Sequence, residues 1–179
     1  LSFGDGISQN VFVVYSSSLM PGVIWVGTDT SGVIVSRDDG KTWRKVEGIP
    51  QDVPISSIAI DPKRPENIYV GTAYTFFVSR DGGRNWTRRG GNLPLGNYNS
   101  ILINPRNPSE IFVGSALENN DGIFLSVDGG MNWKRVDRKD DRVTSRRIWS
   151  MVFDPNDPNR ILAGTHSGGV FRIQRVPTA

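Results

Sequence analysis

One eight-residue pattern occurs three times in this chain, as SRDDGKTW at 36–43, SRDGGRNW at 79–86 and SVDGGMNW at 126–133. A hydroxyl, a carboxylate two residues on, a glycine two further and a tryptophan three further keep the same offsets in every copy. The chain is therefore a tandem repeat. A repeat unit of this size cannot bury its apolar face alone and must stack on its neighbours, so the repeats set the fold before any single residue does.

The pattern has a mechanical reading. The strand residues Phe76, Phe77 and Val78 run into a short polar turn and leave it through Trp86. Such a turn needs positive φ, which glycine supplies. The short oxygen-bearing side chains of Ser79 and Asp81 can bond back to loop N–H groups while the tryptophan packs beneath. Ser36, Asp38, Gly40 and Trp43, then Ser79, Asp81, Gly83 and Trp86, then Ser126, Asp128, Gly130 and Trp133 thus read as structural staples rather than catalytic groups.

This SxDxGxxW wording resembles the Asp-box of BNR-repeat β-propellers, a superfamily that includes sialidases, xyloglucan-degrading glycoside hydrolases, sortilin-type receptors and photosystem II assembly factors. The resemblance spans residues 11–176. It implies a propeller and a structural role for the boxes, away from any catalytic site. A second repeated motif strengthens it: Asp61-Pro62 with Pro65, Asn104-Pro105 with Pro108, and Asp154-Pro155 with Pro158, with Ser17 and Pro21 in the first unit. Proline fixes φ and cannot donate to a ladder, so these are tight turns between first and second strands. The DPxxPxxIYVGT wording resembles the bacterial BNR and xyloglucanase branches more than the sialidases.

Short β-branched and aromatic runs separated by turn signals place strands at 11–15, 23–26, 33–35 and 43–46, and the order repeats in the next two units. The last unit supplies runs at 149–153, 161–163 and 170–173, but Ile173-Gln174-Arg175 stands where a box should begin. The expected fold is all-β, a β-propeller of four-stranded antiparallel blades with three complete Asp-box repeats and a partial fourth. It would form a four-bladed ring or half of a larger propeller. One domain covers 1–179, with blades at 11–47, 55–90, 99–137 and 148–176. Residues 1–10 are a candidate for the missing outer strand, though weak in β-propensity. Gly27, Gly71, Gly114 and Gly164 end the second strands, where a missing Cβ lets blades crowd near the axis.

The balance of 21 basic against 18 acidic residues gives a charge of +3, a mild excess that does not call for nucleic acid. Without cysteine there is no disulfide or thiolate metal site, and no cofactor or metal is expected. No apolar run approaches the roughly 20 residues of a membrane span. The opening Leu1-Ser2-Phe3-Gly4, without Met, reads as the start of a processed, truncated or excised segment. The compartment stays open, although the family resemblance implies that export is common.

Comparison of the units locates a face for function. From the turn proline to the strand-ending glycine the count is always nine, and from box serine to box tryptophan always seven. Glycine to box serine varies as 9, 8 and 12, and box tryptophan to the next turn proline as 19, 19 and 22. In an up-and-down blade these two variable loop sets project from one face, and scaffold turns stay fixed while binding loops vary. Asp29, Tyr74, Glu118, Asn119, Asp121 and His166 are the candidate binding residues there. Glycosidases need two carboxylates, or in sialidases a tyrosine with a carboxylate partner. The sialidase family also carries an Arg-Ile-Pro motif, and the nearest string here, Arg147-Ile148-Trp149, lacks the proline. The expectation is a non-catalytic module binding a protein or carbohydrate ligand, with a homodimer as one way to complete a larger propeller. The alternative is a piece of a xyloglucanase- or sialidase-like hydrolase.

Overall fold

The computed structural model describes residues 3–88, 90–137 and 145–174. Among them, strands form four antiparallel sheets. The first sheet is β1 (Val11–Ser16), β2 (Ile24–Thr28), β3 (Val33–Ser36) and β4 (Arg44–Lys45). The second is β5 (Ile55–Ile60), β6 (Ile68–Thr72), β7 (Phe76–Ser79) and β8 (Thr87–Arg88). The third is β9 (Tyr98–Ile103), β10 (Ile111–Ser115), β11 (Gly122–Ser126) and β12 (Lys134–Arg135), with one 3-10 turn at Glu118–Asn120. The fourth has three strands among the described residues, β13 (Ile148–Asp154), β14 (Asp157–Thr165) and β15 (Val170–Gln174). Each sheet is a meander of consecutive strands, as the short loops require. The outer strands hold only two paired residues, because each box tryptophan turns back into its own loop instead of extending the ladder.

The first strands β1, β5, β9 and β13 pack in succession. The cores lie between sheets, not within them. Trp25, Val33 and Val35 of the first sheet meet Ile55, Ile58, Ile68, Val70 and Phe77 of the second. Ala59, Tyr69, Phe76 and Val78 meet Tyr98, Ile111, Val113 and Phe124 in the same way, and Phe112 and Ile123 meet Ile148, Ile161 and Ala163. Strand alternation accounts for this, since successive side chains face opposite sides and each sheet is apolar on both.

Close approach near the packed first strands demands glycine. A Cβ on Gly27 would lie 2.5 Å from the Ile55 side chain of the next sheet, and one on Gly71 would run into the Tyr98 carbonyl. The turns after β1, β5, β9 and β13 are stapled by their leading polar residue. Leu19 N–H donates to Ser17 Oγ, Lys63 N–H to Asp61 Oδ1, Arg106 N–H to Asn104 Oδ1 and Asn156 N–H to Asp154 Oδ1.

Residues 3–10 do not complete the fourth sheet. They lie against the first: the Phe3 ring meets Trp43 edge-on at 4.9 Å, and Ser8 and Asn10 donate to the Asp29 carboxylate. Polar turn residues offered no ladder for β15, whereas Trp43 has no earlier sheet to cover it.

Candidate functional site

The two ends of the stack differ in chemistry. At one end sit the boxes. Ser79 Oγ donates to Asp81 Oδ1 at 2.8 Å and accepts the Gly83 N–H at 2.8 Å. Asp81 accepts the Asn85 N–H at 2.9 Å and the Asn85 amide at 2.7 Å, and Trp86 Nε1 donates to the Gly83 carbonyl at 3.2 Å. The same bonds recur around Asp38 with Thr42 and around Asp128 with Asn132. Asn85 bonds hold Asp81 at a pKa of about 2, and Thr42 bonds do the same for Asp38. Burial pushes Asp128 up, but the Asn132 and Ser126 bonds outweigh it and leave it at about 2. These serines and carboxylates are consumed by their own loops. The second box residue points onward: Arg37 donates to the Gly82 carbonyl of the next box at 3.0 Å, and Arg80 to the Gly129 carbonyl at 2.8 Å.

At the other end, the loop after each second strand is bonded to the connection that precedes the first strand of the same sheet. Asp29 N–H donates to the Asn10 carbonyl at 3.2 Å, Ala73 to Pro54 at 3.0 Å, Ala116 to Asn97 at 2.8 Å and His166 to Arg147 at 3.0 Å. Both variable loop sets therefore share one end. The long connection expected at 137–147 lies partly outside the described residues.

The sequence candidates separate once placed. The Asp29 carboxylate accepts from Ser8, Asn10 and Thr30, and bonds from Ser8 and Asn10 hold its pKa at about 2, so it anchors the lead-in. Glu118 and Asn119 stand exposed on the 3-10 turn, while Asp121 pairs with Arg135 at 3.5 Å. The Tyr74 ring is exposed after Ala73. The His166 ring stacks on Trp149 at 5.8 Å and 30°. Asp29 is thus engaged by the lead-in and Asp121 by Arg135, so two of these three carboxylates are bonded within the chain.

The structure brings together a set of residues that sequence reasoning missed. Each first strand shifts register near its start, between Val11 and Val13, Ile55 and Ser57, Tyr98 and Ser100, and Ile148 and Ser150. The residues skipped are Phe12, Ser56, Asn99 and Trp149. Bulges re-aim side chains beside binding sites. All four line one trough of about 750 Å³, together with Asn97 and Ala73 among others. Phe12 and Trp149, 61% and 51% exposed, come from the first and fourth sheets, with hydroxyl and amide groups supplied by the two between. None of the residues lining it is ionisable. No group of three or more His, Asp or Glu with metal-binding geometry occurs among the described residues. The sequence signal was present as one repeat position reading Phe, Ser, Asn and Trp, but only strand pairing shows it to be a bulge.

Stacked antiparallel sheets clasped by Asp-box turns have the blade architecture of β-propellers. The model of the BNR/Asp-box repeat matches residues 77–88, the second box and its flanks. An oligoxyloglucan-reducing end-specific xyloglucanase of Emericella nidulans is 38% identical over 52 residues, 27% of this chain and 6% of that protein. An ancestral GH74 enzyme superposes on 96% of the chain with a TM-score of 0.79 at 23% identity, the match covering 23% of that enzyme. YCF48 from Cyanidioschyzon merolae covers 94% of the chain with a TM-score of 0.61 at 21% identity, over 57% of its own length. YCF48 bound to D1 peptide superposes on 80% of the chain with a TM-score of 0.56 at 17% identity, over 44% of its length. The chain thus spans a small part of the xyloglucanase and GH74 relatives it matches.

Proposed function

We propose that this chain is a glycan-binding segment of a BNR β-propeller, which holds a neutral carbohydrate in the trough at its loop end. The observation that carries the reading is the bulged set Phe12, Ser56, Asn99 and Trp149 facing one trough. Sugar rings offer apolar C–H faces to aromatic rings and hydroxyls to amides, and a neutral sugar needs no charged partner. Apolar walls with a few placed polar groups are the usual composition of small-ligand sites. The absence of a lining carboxylate favours holding over cleaving, since glycoside hydrolysis needs two. Similarity to xyloglucan-acting relatives makes xyloglucan oligosaccharides the first ligand to try.

The test is calorimetric titration of the 179-residue chain with those oligosaccharides, alongside a reducing-sugar assay. Saturable binding without turnover is expected, with Trp149→Ala weakening it on the order of tenfold, about 1.4 kcal/mol. Failure of Trp149→Ala and Phe12→Ala to change the affinity removes the trough from the reading. A second reading rests on the 52-residue similarity: the chain is part of a glycoside hydrolase whose carboxylates include Glu118. Turnover abolished by Glu118→Gln would establish that instead.

A further inference from the structure

Five polar side chains line the trough, and their hydrogen bonds are unequally spent. Ser56 Oγ donates to Asn97 Oδ1 at 2.6 Å, which engages both residues. Ser57 Oγ donates to the Tyr98 carbonyl at 2.6 Å, and Ser100 Oγ accepts the Met151 N–H at 2.9 Å. The fifth is Asn99. Neither its Oδ1 nor its Nδ2 has a hydrogen-bond partner among the described residues, and the half-buried side chain opens to the trough. Half-buried amides are normally bonded, so a carboxamide left open in a cleft is a group kept for something that enters it.

The backbone around Asn99 is pinned on both sides. Tyr98 pairs with Ser115 and Ser100 with Gly114, so Asn99 is the residue that the bulge skips. Its N–H turns back to the Asn97 carbonyl at 3.2 Å. The Tyr98 ring has no exposure, and its hydroxyl donates to the Pro94 carbonyl. Ser57 ties Tyr98 to the second sheet, and Ser100 ties the other flank to the fourth. A side chain carried on a fixed backbone loses little freedom when it binds. The bulge itself does not require an amide, since Phe12 and Trp149 hold the same position in the first and fourth sheets.

Given the glycan reading of the trough, on which this rests, we propose that Asn99 is its specificity-determining residue and reads a vicinal pair of free hydroxyls on the sugar. A carboxamide sets one acceptor beside one donor. Two neighbouring sugar hydroxyls match it: one donates to Oδ1 while the oxygen of the other accepts from Nδ2. Phe12 and Trp149 take the apolar faces of the rings, and Asn99 selects among sugars by their hydroxyls. The ligand class narrows to neutral glycans whose hydroxyl pair is unsubstituted where it meets the third sheet. A site that bonds a ligand hydroxyl discriminates strongly against the analogue lacking it, because its own polar group is then left unpaired.

The test is calorimetric titration of the 179-residue chain with xyloglucan oligosaccharides, for the parent, Asn99→Ala, Asn99→Asp and Trp149→Ala. Both Asn99 variants should weaken binding on the order of tenfold, since the aspartate keeps the size and the acceptor but removes the donor. Their urea midpoints should match the parent, because no bond within the chain is lost. Nitrogen-15 NMR supplies a readout that a merely structural role would not move. The Asn99 side-chain amide signal, identified by its absence from Asn99→Asp, should shift and gain protection from solvent exchange at saturation. Affinities of both variants within about twofold of the parent overturn the proposal. So does weakened binding with an amide signal that stays in place. If Trp149→Ala still weakens binding in either case, the glycan reading stands without Asn99. A parent chain that binds none of the oligosaccharides overturns both.

Discussion

The Asp81 carboxylate, like those of Asp38 and Asp128, is bound inside a loop of eight residues, and that ties loop shape to its ionisation. In the unfolded chain an aspartate titrates near ~3.9. In the folded protein these three and Asp29 are held at about 2 by the bonds they accept. Depressed folded values mean that the stabilisation is fully present above pH ~4 and is lost as pH falls through 2. The melting temperature should therefore fall steeply between pH ~4 and ~2, and Asp81→Asn should make that fall shallower. Gly83 is the complementary test: φ is +86°, and an added Cβ would strike the Trp25 ring. Gly83→Ala should cost about 1–3 kcal/mol in a urea titration through backbone strain and overpacking. The Asp81 bonds and the positive φ of Gly83 were legible in sequence because the box satisfies itself within its own residues, whereas the approach of Gly83 to Trp25 of another sheet was not. The bulged positions Phe12, Ser56, Asn99 and Trp149 were not, because a bulge is a property of pairing between strands.

At the scale of elements, each strand is stabilised by a sheet other than its own. Val33, Phe76 and Ile123 are at most 1% exposed under the sheet that follows, whereas Val170 at the same ladder position in the fourth sheet is 73% exposed. Interior apolar positions should therefore be unequal in cost. Ile68→Ala, at a site with no exposure between the first two sheets, should lose about 2–5 kcal/mol as cavity and transfer energy. Val170→Ala should lie within about 0.5 kcal/mol of the parent. Paired urea titrations check both. Short β-branched runs announced the strands, but not the shrinkage of the outer ones to two residues, which depends on each tryptophan folding back onto its loop carbonyl. The berth of residues 3–10 was also hidden, since Phe3 and Ser8 act only once Trp43 and Asp29 are in place.

For the whole molecule, the first and last sheets expose apolar faces, with Val14 61% and Val152 54% exposed. Apolar ends of this kind favour self-association. We expect light scattering to give a mass twice the 19.8 kDa of one chain, reduced to that of the monomer by Val170→Asp. A parent chain that is already monomeric would leave both ends covered in some other way. The arginine clasps add one more property. Arg37 reaches to the second box and Arg80 to the third, so every clasp runs in the direction of the chain. A unit bounded by equivalent points of two repeats thus carries its own donor forward and its own acceptor carbonyl for the unit behind. Gene duplication of such a unit would lengthen the array without designing a new joint, and deletion would shorten it with the flanking clasps re-engaged. The length of the stack is in that sense a heritable variable that can change by whole steps.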